Sequence, residues 1–141
     1  MLKKSVLQIF PVYPFLAISA DKPDAKQNDW SAWGEEPYLA YEDIVFVSTS
    51  EQADLSEDLT VTVIVHDASA SASSGPEHLS YLGLSPSNQL VFEGMIAIPN
   101  HVVAIWNESP SDTLIDVAAD SVKIRVYHSK ANPNKISVVV T

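Results

Sequence analysis

Residues 59–66, Leu-Thr-Val-Thr-Val-Ile-Val-His, alternate so that Leu59, Val61, Val63 and Val65 fall on one face of an extended chain and Thr60 and Thr62 on the other. The pattern predicts a strand with Val61, Val63 and Val65 buried and both threonines more exposed. Similar segments rich in β-branched and aromatic residues run through 6–18, 44–48, 90–98, 102–106, 114–117, 122–128 and 136–140, which makes about eight strands. In 122–128, Val122, Ile124 and Val126 share one face while Lys123, Arg125 and Tyr127 share the other, as in a strand with one solvated face. No segment keeps a helical period over three turns. The best helical candidate is 29–41, where Asp29 can cap a turn and Gly34 and Pro37 keep it short. The expected fold is all-β: a two-sheet antiparallel β-sandwich, one domain over residues 1–141, with one short helical crossover near 29–41.

The connections are equally legible. Residues 67–77 (DASASASSGPE) read as a loop of small residues and 51–58 as an acidic one, both exposed. Residues 85–88 and 107–112 have turn composition, and Asn132-Pro133-Asn134 separates the last two strands. A chain of 141 residues can bury one core without staples, and it has no cysteine for a disulfide, a thiolate nucleophile or a thiolate metal site. Met1-Leu2-Lys3-Lys4 and the apolar residues up to Ala20 have the outline of a secretory signal. Pro11, Pro14, Gln8 and Ile18, the last where a small residue is usual, argue against it, so a cytoplasmic location is expected and export is the alternative.

Charge changes the picture most. All 8 Lys and Arg lie at the ends: Lys3, Lys4, Lys22 and Lys26, then Lys123, Arg125, Lys130 and Lys135. Sixteen of the 18 acids lie between Lys26 and Lys123, and the net charge is −10. A body of this kind repels nucleic acid and anionic lipid and draws in cationic partners. Neither nucleic acid nor a membrane is expected as a partner; a basic protein is.

Motifs for chemistry are missing. His66, His78, His101 and His128 show no H-x-H or H-E-x-x-H spacing, and there is no G-x-S-x-G elbow among the many serines. The acid groups Asp21/Asp24, Glu35/Glu36, Glu42/Asp43, Asp54/Glu57/Asp58 and Asp112/Asp116 lack the calcium-loop pattern and its turn glycine, so each reads as solvated surface. Catalytic residues, metal ligands and cofactors are therefore assigned to none. The best candidate surface for a partner interleaves aromatics with acids: Asp29, Trp30, Trp33, Glu35, Glu36, Tyr38, Tyr41, Glu42 and Asp43, joined by Asp54, Glu57 and Asp58 of the acidic loop. The competing reading is that Trp30 and Tyr41 plug the core beneath a crossover. Trp106, ending an apolar strand, reads as core.

The order of these features resembles the competence protein J family, small acidic β-proteins whose founding member inhibits a DNA-entry nuclease. The resemblance spans residues 6–128. It lies in the early aromatic strand Val12-Tyr13-Pro14-Phe15, the loop closing on Asp29-Trp30, and Tyr38 and Tyr41 before Ile44-Val45-Phe46, then the alternation at 59–65 and the apolar stretch 90–106. It implies a β-sandwich and an inhibitor-like binding role. The leading expectation is thus a non-enzymatic acidic binding protein, an inhibitor or immunity-type protein of a basic nuclease. The alternative is a β-sandwich, enzymatic or not, binding a carbohydrate or other small ligand through 29–43, and a third reading is a phage or structural accessory subunit. Salt separates the first two, because charge-driven binding weakens steeply with ionic strength and an apolar or sugar site does not.

Overall fold

Side chains at i and i+2 can be buried together only on an extended backbone, and each apolar alternation in the sequence is accordingly a strand. The structure is a computed structural model in which residues 2–10, 15–21, 37–49, 56–66, 83–85, 87–107 and 113–141 are described. Among them are β1 (Leu2–Ile9), β2 (Phe15–Ala20), β3 (Tyr38–Ala40), β4 (Ile44–Ser48), β5 (Leu59–His66), β6 (Asn88–Ala97), β7 (Val102–Trp106), β8 (Leu114–Asp116), β9 (Ser121–Ser129) and β10 (Lys135–Val140). They form two open five-stranded sheets, the first in the order β1-β5-β10-β9-β6 and the second in the order β3-β4-β2-β7-β8.

Leu16, Ile18, Val45, Val47, Val103 and Ile105 of the second sheet and Leu59, Val61, Val63, Ile124, Val126 and Val138 of the first face the space between the sheets and are fully buried. Val65 is only partly buried, near the end of β5, and Thr60 and Thr62 are half-exposed, so the alternation assigns the faces correctly and overstates burial at the strand end.

Several expectations need correction. The apolar stretch 6–18 is two strands in different sheets, β1 ending at Ile9 and β2 beginning at Phe15, and the sequence between them carries Pro11 and Pro14, which cannot donate to a ladder. Tyr38–Ala40, the end of the expected helical crossover, is the edge strand β3 paired with Val45–Val47 of β4; residues 29–36 lie outside the described residues. One pairing is parallel, β10 with β5, from Lys135↔Thr60 to Val140↔Val65. The two strands are far apart in sequence, so no hairpin dictates their direction.

The outer face of β9 is solvated only near its start, where Lys123 is half-exposed. Arg125 and Tyr127 are each 1% exposed. Leu84, following the left-handed Gly83 (φ 74°), packs with Ile64, Tyr127 and Val139 on that face. The Arg125 guanidinium donates to Glu93 at 2.6 Å, and that bond holds the Glu93 carboxyl below its ordinary range; Lys123 stands 3.9 Å from the same carboxylate. Burial pushes the Tyr127 hydroxyl up, and its oxygen has no hydrogen-bond partner. The second sheet carries its own outer cluster, in which Phe46 meets Phe15 and Trp106 edge-on at 5.3 and 6.3 Å and Trp106 donates its indole N–H to Ser19 at 2.9 Å. No helix among the described residues is long and apolar enough to cross a membrane.

Two predictions follow from this packing. Val63→Ala should cost about 1–3 kcal/mol in reversible denaturation, and a change under about 0.5 kcal/mol would take β5 out of the core. His128, at the end of β9, is half-buried with an unpartnered Nε2, and burial lowers its pKa below 6.5. Below pH 6.5 the unfolded chain binds a proton that the folded chain resists, so stability falls as the pH drops through this range. His128→Gln should flatten that part of the stability profile; identical profiles for the two proteins would place the imidazole in water.

Candidate functional site

Strand ends from both sheets meet at one end of the sandwich, and their connections are acidic. Asp21 follows β2, Glu42 and Asp43 link β3 to β4, Asp116 ends β8 and Asp120 precedes β9. Backbone bonds hold the connections together: Ala20 N–H to the Asp43 carbonyl (3.0 Å), Ala97 N–H to Glu42 (2.8 Å) and Ile98 N–H to Asp120 (2.7 Å). The β6–β7 turn joins them, closed by His101 N–H to the Ile98 carbonyl at 2.8 Å, with Pro99-Asn100 at its tip. His101 takes φ 61°, a left-handed conformation that costs a non-glycine residue roughly 1 kcal/mol. There its Nε2 lies 2.6 Å from Asp120 Oδ1, while Asn100 donates to Asp21 at 3.0 Å. Both members of the histidine pair are mostly exposed, so the contact orders the rim and adds little stability.

The carboxylates are spread over this end rather than convergent. Among the described residues no three His, Asp or Glu side chains stand close enough to hold a metal ion. An array of that form acts as a field on an approaching charged surface. Lys3 and Lys4 begin β1, on the far edge of the first sheet, and Lys123 lies beside Glu93 on its outer face.

The candidate surface read from the sequence divides. Tyr38 packs edge-on against Phe92 at 5.0 Å, at the seam between the sheets, and Tyr41 is half-buried on the outer cluster of the second sheet. Glu42 is exposed and Asp43 half-buried in the acidic end. Glu57 and Asp58 are exposed just before β5, at the opposite end, where Asn134 Nδ2 stands 3.5 Å from each of their carbonyls. The two acidic groups are therefore separated by the length of the sheets. Asp29, Trp30, Trp33, Glu35, Glu36 and Asp54 lie outside the described residues. Reading the sequence missed the contribution of Asn100, His101 and Asp120 to the rim; the turn dipeptide Pro99-Asn100 between two strands was the available signal.

No family model matches the chain, and no curated protein matches its sequence. Solved structures do match its fold. ComJ from Bacillus subtilis, inhibitor of the DNA degrading activity of NucA, aligns with a TM-score of 0.64 over 99% of this chain and 97% of its own, at 8% identity. The fold is ComJ-like. Crocagin biosynthetic gene J aligns with a TM-score of 0.54 over 99% of this chain and 96% of its own, also at 8% identity. The likeness to ComJ extends through both sheets, in keeping with the resemblance read from residues 6–128. At this identity it is a likeness of fold, and no individual side chain is carried across.

Proposed function

We propose that the protein is a non-enzymatic inhibitor of a basic nuclease, and that its acidic end covers the enzyme's nucleic-acid-binding surface. The observation that carries the reading is the placement of Asp21, Glu42, Asp43, Asp116 and Asp120 at one end of a ComJ-like sandwich. Carboxylates held on rigid strand ends offer a nuclease the charge pattern of a phosphate backbone, and like charge keeps the inhibitor itself off DNA. Asp29, Trp30, Trp33, Glu35 and Glu36 are proposed as part of the partner surface on their chemistry, tryptophans interleaved with acids being the residue types of interface hot spots. Tyr38 and Tyr41 are anchors of the scaffold in this reading. Asp54, Glu57 and Asp58 belong to it only as part of the general field.

The reading predicts how association depends on salt. Binding to a basic endonuclease should slow steeply between roughly 0.05 and 0.5 M salt, through loss of steering rather than faster release. The triple variant Glu42→Gln, Asp116→Asn, Asp120→Asn should associate about tenfold more slowly at low salt and lose most of the salt dependence. Trp33→Ala should act on the other rate, raising dissociation by an amount worth about 2 kcal/mol if it is an anchor. The protein alone should not retain duplex DNA at physiological salt, and tight retention would remove the charge argument. Salt-indifferent association would favour a small-ligand site instead.

A further inference from the structure

Edge strands offer unpaired backbone groups, and folds usually blunt them. Here β1 begins with Lys3 and Lys4, and β3 and β8 are only three residues long. β6 is different. It runs for ten residues without Lys, Arg or Pro and, among the described residues, pairs with β9 alone. Its outward groups can be assigned. Lys123 exchanges both of its backbone bonds with Thr141, at 3.0 Å each, so that alternation turns Val122, Ile124 and Val126 toward β6, where they face Ile96, Gly94 and Phe92. Glu93 and Met95 therefore direct N–H and C=O away from the sheet. Ala97 does the same, and its N–H is met by the Glu42 carbonyl. The Met95 side chain is 60% exposed beside them.

Toward the start of β6 this edge opens into a cleft of about 270 Å³, between Pro37 and Tyr38 on one side and residues 89–93 on the other. The bulge between Leu90 and Phe92 bends the strand there. Tyr38 and Phe92 line the cleft together, and Gly94 leaves room for the phenyl ring: a Cβ on Gly94 would stand 2.8 Å from it. Free backbone groups and an adjoining cleft that can seat a side chain are the two requirements of recognition by strand addition.

We propose that the β6 edge is the docking site for an extended segment of a basic partner protein, which bonds to the backbone of Glu93 and Met95 and seats an apolar side chain in the Tyr38–Phe92 cleft. The choice of a basic partner rests on the function proposed above. It follows from the chain's net charge of −10 and from the exposed Glu42 at the strand's end, Glu93 itself being paired with Arg125 and Lys123. A second copy is disfavoured, since pairing two β6 edges would bring together two chains of net charge −10. The segment that fits alternates Lys or Arg with Val, Ile or Leu.

The test uses an end-blocked synthetic peptide of alternating Lys and Val, titrated into the full chain and followed by amide hydrogen exchange. Binding should slow exchange at Glu93 and Met95 by about tenfold or more, with the Tyr38 and Phe92 ring resonances shifting. Met95→Pro removes an N–H that no ladder bond uses and should weaken binding about tenfold while leaving the fold intact. Met95→Lys, which blocks the edge without a ring constraint, should do the same and serves if the proline variant unfolds. A peptide of equal charge with Pro in place of Val should bind at least tenfold more weakly, because it cannot pair as a strand. Equal binding of the two peptides, or unchanged binding by both Met95 variants, would overturn the proposal. So would a dimer of the protein that Met95→Lys dissolves, which would give the edge to a second copy. Peptide docking at β6 by a protein that inhibits no nuclease would sustain this site and sink the proposed function. Nuclease inhibition untouched by the Met95 variants would do the reverse.

Discussion

Everything else in this molecule depends on the packing of one sheet on the other. The inward residues of β2, β4 and β7 meet those of β5, β9 and β10, all of them aliphatic and most of them β-branched, so the contact has stiff side chains with few alternative rotamers. A slip of one residue in any central strand would turn its apolar set outward. That penalty fixes register, and register fixes which connections share an end. β2 is buried along its whole length, with the inter-sheet core on one side and the cluster of Phe15, Phe46 and Trp106 on the other.

The acidic end is a consequence of that register. Asp21, Glu42, Asp43, Asp116 and Asp120 are scattered through a hundred residues of sequence, and only the meeting of strand ends from both sheets collects them. Their mutual repulsion opposes folding, so the core must outweigh it. Arg125 and Lys123 are engaged with Glu93 on the outer face of the first sheet, and Lys3 and Lys4 occupy its far edge. The left-handed His101 ties the β6–β7 turn to Asp120 at the rim.

β5 was legible in the sequence almost to the residue because a period of two has one structural solution, and β7 because a short run of β-branched and aromatic residues between turns reads as a buried strand. Edges were harder. β3 is three residues long and half-buried, too short for any period to show, and it lay inside a stretch whose tryptophans and acids drew attention to partner binding instead. Arg125 misled for a different reason: its charge marks a solvated face in an isolated strand, and only the arrival of Leu84 and the pairing with Glu93 make burial tolerable. The rim was half legible, since its acids were visible as separate pairs while their meeting depends on topology. Asp112 and Asp116 formed one such pair in sequence, and Asp116 alone is described at the rim.

The proposed function makes a specific demand on how the protein acts on a nuclease: it must occupy the surface that DNA needs. The most direct measurement is the type of inhibition. Initial rates of DNA cleavage by a basic endonuclease, taken at several fixed concentrations of this protein and over a wide range of DNA concentrations, should show competitive behaviour, with the apparent KM rising and kcat unchanged. A fall in kcat with KM unchanged would mean that DNA and this protein bind the enzyme together, and would contradict the account.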